Sequence, residues 1–200
     1  DTIDGVRPVI TSGTVDTSNV GTYTLTYTAS DFSGNTATAT RTVNVVKATP
    51  VVVWSNPVSI TYGTALSATE LNASTGVAGT FIYTPALGTV LNVGVGQTLL
   101  ATFNPTDTTN YNSATSSVVI TVTAAPLTIT ANDDTRVYGA ANPTFTASYT
   151  GFVNGDTAAS LTTPVILGTT AVPTSPVGTY PITATGATSS NYTITHVDGT

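Results

Sequence analysis

In GTYTLTYTAS, residues 21 to 30, Tyr23, Leu25, Tyr27 and Ala29 alternate with Thr22, Thr24, Thr26 and Thr28. A period of two puts the two sets on opposite faces of an extended chain, so the stretch predicts a half-buried β-strand. DFSGN, Asp31 to Asn35, brings together the residue types that tight turns tolerate. TATATRTVNVV then returns with Ala37, Ala39, Arg41 and Val43 on one face and Thr36, Thr38, Thr40 and Thr42 on the other. Together the two runs predict an antiparallel hairpin.

The same texture continues to the end of the chain. Strands are expected at Val51 to Trp54 and Val58 to Tyr62, and in GTFIYTP, TVLNVGVG, QTLLATFNP and SSVVITVT. In TLLATF the apolar phase is Leu99, Ala101 and Phe103. The last part opens at Leu127, turns at VNGDT and ends in VGTYPITATG and NYTITHVDGT. No stretch of ten residues carries apolar spacing of three and four, and Gly or Pro interrupts most long windows. The expected class is all-β with almost no helix. Abundant Thr and Val, favoured in strands by their branched Cβ, agree.

Charge and cysteine usage narrow the function. Four Lys and Arg against ten Asp and Glu give a net charge of −6, with 7% of residues charged. This argues against nucleic acid as a partner and leaves no polybasic patch for a membrane surface. Zero Cys removes disulfides, thiolates and Cys-ligated metals. No apolar run approaches the roughly 20 residues of a spanning helix, and Asp1 does not begin a signal peptide.

Recurring words divide the chain. Tyr62-Gly63 returns as Tyr138-Gly139, and Asn110-Tyr111 as Asn191-Tyr192. VGTY at Val20 to Tyr23 returns at Val177 to Tyr180, with a weaker relative, VGQT, at Val95 to Thr98. Landmarks that advance together by about 75 to 82 residues describe a tandem array of small β domains. The expected boundaries are 1–46, 47–124 and 125–200. Gly21, Tyr23, Gly63, Gly96, Gly139, Gly178 and Tyr180 are the structural landmarks. The glycines of VGTY and VGQT are expected to mark entry to a late strand, with Tyr23 and Tyr180 beginning the buried alternation behind it. The first segment reaches VGTY with no Tyr-Gly word before it, so it is expected to lack its first strands. The last segment stops soon after Tyr192 and is expected to lack its closing strand.

With these words in place, residues 126 to 200, including RVYGAANPTFTASYTG, VGTYPITATG and SSNYTITHVDGT, resemble the MBG-type immunoglobulin-like repeats of large bacterial surface and adhesin proteins. ITYGTALSAT and FNPTDTTNYNSATSSVVITV, within about 55 to 123, resemble a related bacterial Ig-like repeat. DGVRPVITSGTVDTSNVGTYTLTYTASDFSGNTATATRTVNV resembles the C-terminal part of a third bacterial Ig-like type. The resemblance implies tandem Ig-like antiparallel β-sandwiches in an extended array. It implies an extracellular stalk or spacer, on the bacterial surface or secreted, presenting a distal functional region. It supplies no catalytic residue.

The individual residues point the same way. His196 is the only His, and there is no G-x-S-x-G nucleophile word, so the chain is not read as an enzyme; His196 is expected on a surface or edge strand. Calcium takes carboxylate and carbonyl oxygens, which makes Asp107, Asp133 and Asp134 candidates for a structural ion that stiffens a joint. Trp54 and Tyr111 are candidates for stacking on sugar, against the reading that isolated aromatics fill cores and strand ends. The alternative functions are therefore a module that binds glycan or a surface polymer, or an accessory region of a secreted hydrolase. Expected partners are neighbouring domains of the same long chain, a cell-surface or extracellular polymer, and a strand donated by an adjacent chain. Lys47 is the only Lys and falls in a linker, which disfavours an internal Lys-Asn crosslink.

Overall fold

The computed structural model describes residues 5–200, so Asp1 lies outside the described residues. Twelve strands and one short 3₁₀ turn, Ala158–Ser160, form the regular structure of the described part. The all-β expectation holds. The chain gathers into two compact units. One takes the described residues up to Val53 with Ala73–Ile82 and Ala101–Ser116; the other takes Trp54–Asn72, Tyr83–Leu100 and Ser117–Thr200.

The first unit contains a sheet of β1 (Ile10–Ser12), β2 (Gly21–Ser30) and β3 (Thr36–Val45), in that order. The expected hairpin is present, with Tyr23 opposite Val43, Leu25 opposite Arg41 and Tyr27 opposite Ala39. Its turn closes through Asp31, whose carboxylate accepts the Asn35 backbone N–H at 2.8 Å and the Asn35 side-chain amide at 2.7 Å. The expected inward face of β3 is not covered. Ala37, Ala39 and Arg41 are exposed, Val43 is half-buried, and no residue of β1 to β3 is buried. Alternation sets which side chains share a face, but a face is buried only where a second layer covers it. In the same unit Phe103 is buried, stands 5.0 Å from the Phe81 ring, and leaves no room for a Cβ at Gly79.

A four-stranded sheet has the order β4-β7-β6-β5, from β4 (Ile60–Thr61), β5 (Gly79–Thr84), β6 (Gly94–Pro105) and β7 (Ala114–Thr123). Leu99, Ala101 and Phe103 are all buried, as their phase predicts. Two expected strands shrink. Val51 to Trp54 keeps one bridge, Val53 to Ser74, and Val58 to Tyr62 keeps Ile60–Thr61. Pro50 and Pro57 cannot donate to a ladder, and the side chain of Asn56 takes the Val119 N–H at 3.1 Å. Likewise Val90 makes a single bridge to Ala65, and the regular strand begins only at Gly94.

In the second unit β12 (Tyr192–Val197), β8 (Ala125–Ala131) and β9 (Ala147–Thr150) form a sheet in which β12 runs parallel to β8. β10 (Ile166–Thr169) and β11 (Ile182–Thr185) form an antiparallel pair. Ala125, Leu127, Ile129 and Ala131 are buried at every second position of β8. Leu127 and Ile129 belong to one core cluster that also holds Ile60, Leu66, Leu99, Ile120, Val122 and Tyr192. The stretch around residue 125 is therefore a core strand shared by what precedes and follows it. Ala131, Ile182 and Ala184 form a second, smaller core with Phe145, Val165 and Leu167.

Candidate functional site

The VGTY word is a backbone latch. The Tyr23 hydroxyl donates to the carbonyl of Asn19 at 2.9 Å, and the Tyr180 hydroxyl to that of Pro176 at 3.0 Å. In VGQT the Gln97 side-chain amide does the same to Asn92 O at 2.8 Å. Each side chain reaches back to a carbonyl that the loop leaves outside any strand ladder, which fixes the loop's shape. Tyr23 and Tyr180 are half-buried, and the buried alternation after Tyr180 falls on Ile182 and Ala184. Gly21 opens β2 and Gly94 opens β6; Gly96 lies inside β6 at φ +67°, and Gly178 stands before β11.

The residue after each latched carbonyl is where the repeat acquires a purpose. In the first unit the Val20 N–H donates to Oδ1 of Asn110 at 3.1 Å. In the second, the Val93 N–H donates to Oδ1 of Asn191, also at 3.1 Å. Each Asn also uses its main chain. Ala48 N–H donates to Asn110 O at 2.9 Å, and Ala125 N–H to Asn191 O at 3.0 Å. In both places the residue after the Asn, Tyr111 or Tyr192, pairs in parallel with that same Ala. One Asn-Tyr word thus holds a preceding loop by its side chain and the stretch at Ala48 or Ala125 by its backbone, and it does so twice.

An amide serves as acceptor only when its oxygen faces the donor, and local bonds set that orientation. Asn110 Nδ2 donates to Asp107 Oδ2 at 2.8 Å, while Asp107 Oδ1 accepts the N–H groups of Thr109 and Asn110. The Asn110 side chain is the main cause holding the Asp107 carboxyl below its ordinary pKa, and Lys47 adds a smaller effect. Lys47 Nζ donates to Thr108 O at 2.6 Å beside the same clamp. Asn191 instead donates from Nδ2 to Asn92 Oδ1 at 3.2 Å, and its N–H goes to Ser189 Oγ.

Around Asn191 the clamp has an aromatic half. Tyr62 and Tyr192 are buried and meet edge to face at 5.5 Å. Both hydroxyls donate to Oδ2 of Asp156, at 2.9 and 2.7 Å, and the Val153 N–H donates to the Tyr192 oxygen at 3.0 Å. Tyr192 is the first cause lowering the Asp156 pKa, with Tyr62 and Ser160 adding to it against the cost of burial. Burial, then the bond and charge of Asp156, push the Tyr192 phenol up to about 12, against the opposing bond from the Val153 backbone. Gly63 belongs to the same contact, since a Cβ there would stand 2.5 Å from Val153 Cγ2.

The other sequence candidates have different surroundings. Asp133 Oδ1 accepts the Thr200 N–H at 2.7 Å, and Asp134 Oδ1 accepts the Thr135 N–H at 2.7 Å. Among the described residues no three His, Asp or Glu side chains converge. Trp54 is half-buried against the core, meets Tyr83 edge-on at 5.5 Å and donates from Nε1 to Glu70 O. Glu70, the only Glu, is buried and caps its own turn by accepting the Ser67 N–H and hydroxyl, which lower its pKa. His196 is half-buried on β12, a sheet edge, with Nε2 buried and unpartnered. The roles of Asn110, Asn191 and Asp156 were not read from sequence. The recurrence of Asn-Tyr was the available signal for the first two, and Asp156 lies in a word that reads only as a turn.

Comparison with known families fits this arrangement. Residues 127–200 match the MBG domain (YGX type), and they contain the word Tyr138-Gly139-Ala140. Residues 2–45 match the bacterial surface protein, Ig-like domain. These are bacterial Ig-like repeat domains of surface proteins. No curated protein and no solved structure matches the chain. These two segments are similar to modules of bacterial surface proteins, which suggests a place at the cell surface or outside the cell. Among the described residues no helix is long and apolar enough to cross a membrane.

Gly63 and Gly139 provide an internal control for the MBG segment's joint. Both have positive φ, +92° and +85°, but a Cβ at Gly139 meets nothing within 4 Å. Gly139→Ala is expected to cost about 1 kcal/mol of backbone strain, and Gly63→Ala at least about 2 kcal/mol more through overlap with Val153. Urea denaturation of the two variants checks this; equal losses contradict a tight contact at Gly63. The alkaline limb of stability reports on Tyr192. A phenol raised from 10.0 to about 12 contributes stability that is whole below its unfolded pKa and is lost as pH rises through the folded one. Denaturation midpoints should therefore fall from roughly pH 10 toward 12, and Tyr192→Phe should flatten that fall.

Proposed function

We propose that this chain is a spacer segment of a bacterial surface protein. Its Ig-like units, 1–46, 47–124 and 125–200, form a tandem array whose joints are fixed in order to hold a distal functional region away from the cell. The recurrence of one Asn-Tyr clamp at residues 110–111 and 191–192 carries this reading. A flexible string needs only a covalent linker, whereas here Ala48 and Ala125 are hydrogen-bonded to the clamps. Support also comes from the core around Tyr62, Leu127 and Tyr192, since independently moving units would leave those side chains wet. The candidate sugar-stacking residue Trp54 is already occupied by Tyr83 and Glu70.

A chain with no Cys accepts a pair of spin labels without background. Cysteines at the exposed positions Leu87 and Ile166 place one label on each side of the Asn191 clamp. The expected pulsed-EPR result is a single narrow distance distribution that broadens in Asn191→Ala with Asp156→Ala. A broad distribution in the parent chain would contradict a fixed spacer.

A further inference from the structure

The side of residues 125–200 that carries Tyr138 and VGTY holds a second, open copy of the surface that the Asn191 clamp covers. Three features define the covered copy. The Tyr62 hydroxyl reaches Asp156, Gly63 lies against Val153, and the Val93 N–H, next to the latched carbonyl of Asn92, is taken by Asn191. Each has a counterpart further along the chain. Tyr138-Gly139 repeats Tyr62-Gly63, with Gly139 again at positive φ. Pro176 O is latched by Tyr180 as Asn92 O is by Gln97, which makes the Val177 N–H the counterpart of the Val20 and Val93 donors.

The difference is exposure. Tyr62 is 6% exposed and Tyr138 is 67%. Val177 is 93% exposed, and Val137 and Val172 nearby are also open. A cleft of about 450 Å³ lies here, lined by Tyr138, Phe145, Val177, Tyr180 and Ile182, with Arg136 at its edge. The Arg136 guanidinium holds the turn through the carbonyls of Val172, Pro173 and Ala140. The cleft is therefore shaped and mixed in character, with Tyr138, Phe145 and Val177 beside the polar Asp133, Asp134 and Arg136.

We infer that this face is the receptor for a further Ig-like unit following in the same chain. That unit would present an Asn-Tyr word to the Val177 N–H and an acidic loop like Val153–Asp156 to Tyr138 and Gly139. The inference rests on the spacer reading and extends it by naming the face and the chemistry of its occupant. Continuity with two existing joints selects this partner, since the same donor is already used by Asn110 and by Asn191. Apolar surface around Tyr138 and Val177 suits the Tyr of the incoming word, and the exposed Tyr138 hydroxyl suits its acidic loop, as Tyr62 suits Asp156. Pro176 lacks the side-chain acceptor that Asn92 offers to Asn191, so the incoming Asn is oriented inside its own unit, as Asp107 orients Asn110.

The test extends the existing chain. A second copy of residues 125–200 is appended so that its first Ala stands as far beyond Tyr192 as Ala125 stands beyond Tyr111. Hydrogen exchange is then followed at the Val177 and Val93 amides. The expected result is exchange at Val177 slowed by at least about 100-fold relative to the 200-residue chain, with the slowing lost when the appended copy carries Asn191→Ala. Gly139→Ala, tolerated in the shorter chain, should become as damaging as Gly63→Ala in the longer one. If Val177 exchanges at its original rate while Val93 stays protected, the inference is overturned and the spacer reading stands. If Val93 is unprotected as well, both fall. Protection of Val177 in the unextended chain that rises with protein concentration would assign the face to a second copy and overturn the proposal.

Discussion

Everything distinctive in this chain depends on one constraint: a loop that enters a strand leaves a backbone N–H outside its own strand ladder. At Val20 and Val93 that donor is taken by the side-chain oxygen of an Asn about 90 or 98 residues further along the chain. A buried donor left unpaired costs about 1 to 3 kcal/mol, so the bond matters more for what its loss would expose than for its own strength. The latch behind it, Tyr23 or Gln97, holds the neighbouring carbonyl and so keeps the donor aimed. The Asn main-chain oxygen then takes the N–H of Ala48 or Ala125, so each Asn ties together two separate stretches of chain.

The two clamps are embedded differently. At Asn110 the surroundings are polar, with Asp107 and Lys47 supplying charge-assisted bonds at exposed positions. Such bonds orient more than they stabilise, because water and salt compete for the same groups. At Asn191 the clamp adjoins a core containing Tyr62, Leu127 and Tyr192, and Asp156 satisfies both phenols. Desolvation strengthens those bonds and also raises the cost of breaking them. The Asn191 clamp should therefore be harder to break than the Asn110 clamp, whose neighbouring groups are solvated.

Much of the fold was legible in the sequence because period-two alternation and turn chemistry are local. The Tyr23–Val43 hairpin, the Leu99-Ala101-Phe103 phase and the alternation in β8 all follow from side chains near one another in the chain. The failures have a common cause. Residues 51 to 62 have strand composition, but Pro50, Pro57 and the Asn56 side chain occupy or remove the ladder positions. Ala37 and Ala39 have the right phase and no covering layer. The joint was legible only as a rhythm. Asn-Tyr and Tyr-Gly recur at domain spacing, yet that an amide oxygen reaches a backbone about 90 or 98 residues away is a fact of assembly, which local pattern does not encode.

The most direct measure of the account is the coupling energy between Tyr62 and Asp156, which meet beside the Asn191 clamp. A double-mutant cycle with Tyr62→Phe and Asp156→Ala, read by urea denaturation at neutral pH, isolates their interaction from the cost of each substitution alone. The account predicts coupling of about 1 to 3 kcal/mol, the range for neighbours in one hydrogen-bonded network. Additivity within about 0.5 kcal/mol would mean that the two residues do not hold each other, and would contradict a fixed joint.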